Sequence, residues 1–148
     1  TEQLTDELLS EDENKSHAFL ILDVDCFKQI NDIYGHAVGD IVLQKFGKLL
    51  KGTFREGDIL GRIGGDEFGV IMKNIQTKDI AMKKAKELLA KTQAYKIDEL
   101  KGNNISISIG ISTAPQDGDC YMDLYKRADQ ALYQAKRSGK ARVCNYFS

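Results

Sequence analysis

The sequence has no excess of either charge: 21 lysines and arginines face 22 aspartates and glutamates, for a formal charge of −1. That balance argues against a nucleic-acid-binding surface, whose affinity rests on neutralising many phosphates. It leaves open a small phosphate-bearing ligand, which needs only two or three well-placed cations. No apolar run approaches the roughly 20 residues of a membrane span, and no signal-peptide pattern opens the chain. Cysteines are few and odd in number, and Cys26, Cys120 and Cys144 follow no metal-ligand spacing. They read as reduced thiols of a cytoplasmic protein, or of the cytosolic domain of a longer membrane-anchored one. Repeats, low-complexity tracts and linkers are missing too. What is present is 148 residues, 42% apolar and 29% charged, the size and composition of one globular domain. A chain of this length buries about two-thirds of its unfolded surface.

Changes of hydrophobic period divide the chain. Residues 1–16, with six acids and one lysine, read as the end of a helix and an acidic turn, and Thr1 reads as a cut. The domain proper is expected over 17–148. Ala18 to Val24 is a short apolar run that suits a buried central strand. A short helix through Ile33 follows, then a helix from about Val38 to Lys51. Asp58 to Ile63 and Glu67 to Met72 read as strands joined by the hairpin turn Gly64-Gly65-Asp66. Thr77 is placed to cap a helix carrying Ile80, Ala81, Ala85, Leu88 and Leu89. Isoleucines at 105, 107, 109 and 111 alternate with small residues in a period of two. A turn at Pro115 to Asp119 leads into a helix from Tyr121 to Arg137, and Ala141 to Phe147 adds a last strand.

This order predicts an α+β fold, a ferredoxin-like βαββαβ core with an added C-terminal helix and strand. In that topology the third strand lies between the first two and runs antiparallel to the first. The end of the first strand, Asp23 to Asp25, then meets the start of the third, Asp66 and Glu67. Four carboxylates distant in sequence gather at one edge of the sheet.

Carboxylates so close repel one another unless cations intervene. Oxygen-only ligands suit Mg²⁺ or Mn²⁺, and no His or Cys is placed for zinc. Taken alone, Asp23 and Asp25 are an ordinary strand-end turn and helix cap. The double glycine beside them changes the weighing, because it allows a close backbone approach and suits metal-assisted phosphoryl chemistry. Cys26, Phe27 and Lys28 open a helix whose amides can bind phosphate. Asn31 and Asp40 could read the edge of a purine, although a helix-capping Asp40 is the simpler assignment. Lys136, Arg137, Lys140 and Arg142 cluster at a helix end, where they complement the dipole without any ligand. Arg55 and Asp58 are ordinarily a surface salt bridge.

Gly64-Gly65-Asp66-Glu67-Phe68 resembles the signature of the GGDEF-domain diguanylate cyclases. Further blocks match in order and spacing: Asp23-Val24-Asp25-Cys26-Phe27-Lys28, Ile30-Asn31-Asp32, Tyr34-Gly35-His36, Gly39-Asp40, Ser108-Ile109-Gly110, and Arg127-Ala128-Asp129 through Ala135-Lys136. The resemblance implies a palm-like nucleotidyl cyclase that condenses two GTP into cyclic di-GMP and two pyrophosphates, as a two-fold homodimer. It implies Asp23, Asp66 and the Val24 carbonyl as ligands of Mg²⁺ (or Mn²⁺), with Asp66, Glu67 and Asp25 as the catalytic acids. It assigns Asn31 and Asp40 to guanine, and Cys26, Phe27, Lys28, Gly65, Lys136 and Lys140 to the rest of the nucleotide. Arg55-Glu56-Gly57-Asp58, five residues before the double glycine, is similar to the family's product-inhibition site for cyclic di-GMP. An upstream sensor or receiver domain is expected in the full-length protein. The alternative is a non-catalytic module of the same fold that binds GTP or cyclic di-GMP. A palm acting on nucleic acid is disfavoured by the charge balance.

Overall fold

The computed structural model describes residues 15–146. The helix end expected at the N-terminus lies outside them. The chain runs β1 (Ser16–Val24), α1 (Phe27–Tyr34), α2 (His36–Thr53), β2 (Ile59–Gly64), β3 (Glu67–Ile75) and α3 (Lys78–Ala94). A 3₁₀ turn at Asp98–Leu100, β4 (Ile107–Ala114), α4 (Tyr121–Arg137) and β5 (Val143–Asn145) complete it. The strands form one sheet in the order β2-β3-β1-β4-β5. β1 pairs antiparallel with both β3 and β4, and β5 adds a parallel edge. The expected α+β core with its appended helix and strand is therefore present.

The sheet is covered on both faces, which explains why β1 reads as a nearly unbroken apolar run. Leu20, Leu22, Val70, Met72, Ile107 and Ile109 pack with Val42, Phe46 and Leu88 from α2 and α3. Each such side chain, fully withdrawn from water, contributes about 1.5–3 kcal/mol. On the opposite face lies α4, with Leu124, Ala128 and Leu132 against Phe19, Ile21 and Ile71.

The alternation in β4 separates these two layers rather than core from solvent. Ser108 and Ser112 are fully buried, and the Ser112 hydroxyl donates to the Leu124 carbonyl at 2.8 Å. At Gly110 a Cβ would stand 2.2 Å from the Ala128 carbonyl oxygen and 2.3 Å from the Leu132 nitrogen. The missing side chain is what lets α4 sit directly on the strand.

Two local expectations are corrected. Thr77 occupies the N-cap position of α3 but makes no side-chain cap bond, so the dipole there is met by Asp79 in the first turn. Asp40 does not cap α2, because that helix already begins at His36 with Gly35 as its N-cap residue. The carboxylate is therefore free of that role and exposed.

Candidate active site

Antiparallel pairing sets Asp23, near the end of β1, opposite Glu67, the first residue of β3. Immediately before Glu67 comes the hairpin turn that joins β2 to β3, where Gly65 adopts φ +47°. The Arg62 guanidinium steadies this turn by donating to the Gly65 carbonyl at 2.7 Å. Asp66 follows, and the Val24 amide points at its carbonyl at 3.5 Å. Three of the four expected acids, Asp23, Asp66 and Glu67, thus share one edge of the sheet.

Helix α4 reaches this edge from the second face with two side chains. Lys136 forms an ion pair with Asp23, and Tyr125 donates its hydroxyl to Glu67 Oε1 at 2.8 Å. Asp23 is only 7% exposed. Burial, followed by the adjacent Asp66 carboxyl, pushes Asp23 up to about 7, against the lowering pull of Lys136. Burial disfavours the Lys136 cation, yet its pairing with Asp23 outweighs this and raises it. Asp23 Oδ1 is buried with no hydrogen-bond partner. An orphaned carboxylate oxygen beside a second carboxylate is an oxygen donor set that fits Mg²⁺ or Mn²⁺.

Asp25 lies close enough for its charge to help raise Lys136, but its oxygens are taken by other partners. Its carboxylate accepts from the Ser106 hydroxyl at 2.6 Å, the Ser108 hydroxyl at 2.7 Å and the Ala141 amide at 3.1 Å. Lys140 and Ala141 both have left-handed backbones, at φ 64° and 50°, a conformation that costs non-glycine residues energy. Asp25 holds that turn in place, and with it Lys140, whose ammonium donates to Cys26 Sγ at 3.2 Å. Cys26 is itself left-handed, at φ 56°, and leads into α1. The Cys26 carbonyl accepts from the Gln29 amide at 3.0 Å, leaving the Phe27 and Lys28 amides ahead of the first intrahelical bond, and Lys28 is exposed in the first turn.

Asn31 packs against Gly39 where α1 turns into α2. A Cβ on Gly39 would fall 1.9 Å from Asn31 Oδ1, so glycine there makes room for the amide, one residue before exposed Asp40. Arg55 and Asp58 lie far from the acids, beside Lys73. Six residues along β3 separate Lys73 from Glu67, about 20 Å at a strand's rise per residue. Arg55 Nη2 donates to Asp58 Oδ1 at 3.0 Å and to the Lys73 carbonyl at 2.6 Å. The Asp58 carboxylate also accepts from the Arg55 and Lys73 amides. The ordinary salt bridge is therefore made, with Asp58 almost wholly enclosed and Arg55 half exposed.

The diguanylate cyclase GGDEF-domain model matches residues 1–142. The chain belongs to the GGDEF-domain family. This GGDEF domain is 38% identical over 135 residues to diguanylate cyclase A of Treponema denticola, covering 90% of this chain and 36% of that protein. It is 39% identical over 127 residues to the response regulator PleD of Caulobacter vibrioides, covering 84% of this chain and 28% of that one. It thus spans only about a third of the length of these curated relatives. The crystal structure of the GGDEF domain of TpbB from Pseudomonas aeruginosa superposes with a TM-score of 0.94 at 32% identity, covering 99% of this chain and 93% of that one. No helix among the described residues is long and apolar enough to cross a membrane.

Sequence reasoning missed Tyr125, Ser106 and Arg62 in this GGDEF domain. Tyr125 shares the apolar stripe of α4 with Leu124, Ala128 and Leu132, so it reads as core. Only the position of α4 over the start of β3 gives its hydroxyl a partner.

Proposed function

We propose that this domain is a diguanylate cyclase, condensing two GTP into cyclic di-GMP with release of two pyrophosphates. The observation that carries the reading is the cluster of Asp23, Asp66 and Glu67, with its orphaned oxygen and its paired cation, Lys136. In each of two successive steps, the 3′-hydroxyl of one nucleotide releases its proton to water and its oxygen forms a bond to the α-phosphorus of the other. The bond from that phosphorus to the bridging oxygen breaks, and pyrophosphate leaves.

Asp23, Asp66 and the Val24 carbonyl would hold Mg²⁺ (or Mn²⁺), which when bound polarises the α-phosphate and lowers the pKa of the attacking hydroxyl. Glu67 completes the acidic set. The amides of Cys26 and Phe27 take phosphate oxygens as open donors at a helix start, with Lys28, Lys136 and Lys140 supplying charge. Gly65 leaves the nucleotide room at the turn. Asn31 and Asp40 read guanine, the carboxylate accepting from N1–H and the exocyclic amine. Asp25 serves by positioning the turn that carries Lys140.

Each domain supplies one GTP, so the active species is a two-fold homodimer in which proximity comes from pairing. An upstream sensor or receiver domain would govern that pairing in the cytoplasm. Arg55 and Asp58 form the product site, exchanging their mutual contacts for the guanine edges of cyclic di-GMP. Release of pyrophosphate from GTP in the presence of Mg²⁺ tests the reading, and both Asp66→Ala and Glu67→Gln should abolish it. Turnover that survives either change overturns the catalytic assignment. Tight GTP binding without turnover would favour the binding-module reading.

A further inference from the structure

The cross-strand pair Asp23 and Glu67 places two acids on the α4 face of the sheet, at the closest spacing strands allow. Like charges so arranged push each other's side chains into alternative rotamers unless something holds them. Helix α4 holds both, but by different means. Lys136 pairs with Asp23 through charge, whereas Tyr125 holds Glu67 through one directional hydrogen bond of 2.8 Å. The phenol is itself fixed: its ring lies 6.3 Å from that of Phe19 and 6.0 Å from that of Tyr121, and Phe19 is only 2% exposed. The hydroxyl is thus anchored from the core side and points outward to the acid. Glu67 in turn is the largest influence on the phenol, raising Tyr125 to about 12, with burial second. Tyr125 stays a neutral donor at any physiological pH.

From this geometry we infer that Tyr125 is a positioning residue for the reaction, holding the Glu67 carboxylate in its working orientation. The inference rests on the reading of Glu67 as an acid of the catalytic site. A fixed carboxylate matters because orientation, once supplied by the protein, need not be found during the reaction. The hydroxyl is taken by Glu67, so its loss should fall on turnover and not on nucleotide affinity.

Tyr125→Phe removes the hydroxyl and keeps the ring packing. The expected result is a kcat about tenfold lower, the size of one lost hydrogen bond to a charged group, with KM for GTP within about twofold of wild type. Tyr133→Phe, an exposed tyrosine on the same helix, serves as the control and should leave both constants unchanged. A second readout needs no turnover: the side-chain carboxyl ¹³C resonance of Glu67, assigned by its disappearance in Glu67→Gln. It should move in Tyr125→Phe and stay in place in Tyr133→Phe. An unmoved Glu67 resonance overturns the inference, as does an unchanged kcat or a loss confined to KM. If Glu67→Gln retains full turnover, the parent reading fails; if it is inactive while Tyr125→Phe matches wild type, only the role of Tyr125 fails.

Discussion

Replacing Gly110 with alanine adds one methyl group at the place where α4 meets β4. The new Cβ would lie 2.2 Å, 2.3 Å and 2.9 Å from the Ala128 oxygen, the Leu132 nitrogen and the Leu132 Cα. These are backbone atoms of a helix, so no side chain can swing aside. Ordinary contact needs about 3.4 Å, and the helix and strand must separate by about 1 Å. Overpacking of this kind costs about 1–3 kcal/mol, and the upper end applies where only backbone can yield. In a domain of this size that lowers the melting temperature by about 6–12 °C. The same displacement moves Lys136 and Tyr125 off Asp23 and Glu67, and misplacement of about 1 Å can cost about 10²-fold in rate. Thermal unfolding and turnover on the same sample measure both effects. Gly47→Ala is the control: nothing lies within 4 Å of that position in α2, so alanine should stabilise by about 0.5–1 kcal/mol. If Gly110→Ala melts at the wild-type temperature, the close docking of α4 is refuted.

Other outcomes follow from the same geometry. Asp25→Ala should lose about 3 kcal/mol of stability, because the Ser106 and Ser108 hydroxyls and the Ala141 amide lose their acceptor. It should also weaken GTP binding as Lys140 loses its support; urea unfolding and nucleotide titration check these, and wild-type values for both would contradict the clamp. Arg55→Ala should relieve inhibition by added cyclic di-GMP while costing about 1 kcal/mol of stability, since half-exposed Arg55 is screened by solvent although Asp58 is enclosed. Unchanged product binding would remove Arg55 from that site. Because Asp23 is raised to about 7 without a metal, a divalent ion must displace a proton below that pH. Mn²⁺ affinity should therefore fall about tenfold per pH unit on acidification below about 7. Calorimetry in two buffers of different ionisation enthalpy reads the released proton, and pH-independent binding would contradict it.

The sequence was most legible where one local rule decided the outcome. Helix α4 has the expected bounds, Tyr121–Arg137, because a turn precedes it and Gly139 follows its end. The meeting of Asp23 with Glu67 follows from a topology that the order of elements already implied. What could not be read locally depended on partners distant in sequence. Asp23 and Asp25 are two acids two residues apart, and nothing near them says which one stays available. That is decided by Ser106 and Ser108, more than eighty positions on, which occupy Asp25 and leave Asp23 Oδ1 without a partner. Asp40 illustrates the reverse: its predicted capping role disappears because α2 begins at His36, two residues earlier than its apolar face suggests.

The most direct test of the account is to incubate the chain at high concentration with GTP and Mg²⁺ and analyse the nucleotides by mass spectrometry, with ATP in parallel. The account predicts cyclic di-GMP from GTP, no cyclic dinucleotide from ATP, and no product of either kind with Asp66→Ala. A chain that yields no cyclic di-GMP and also fails to bind GTP with Mg²⁺ contradicts it.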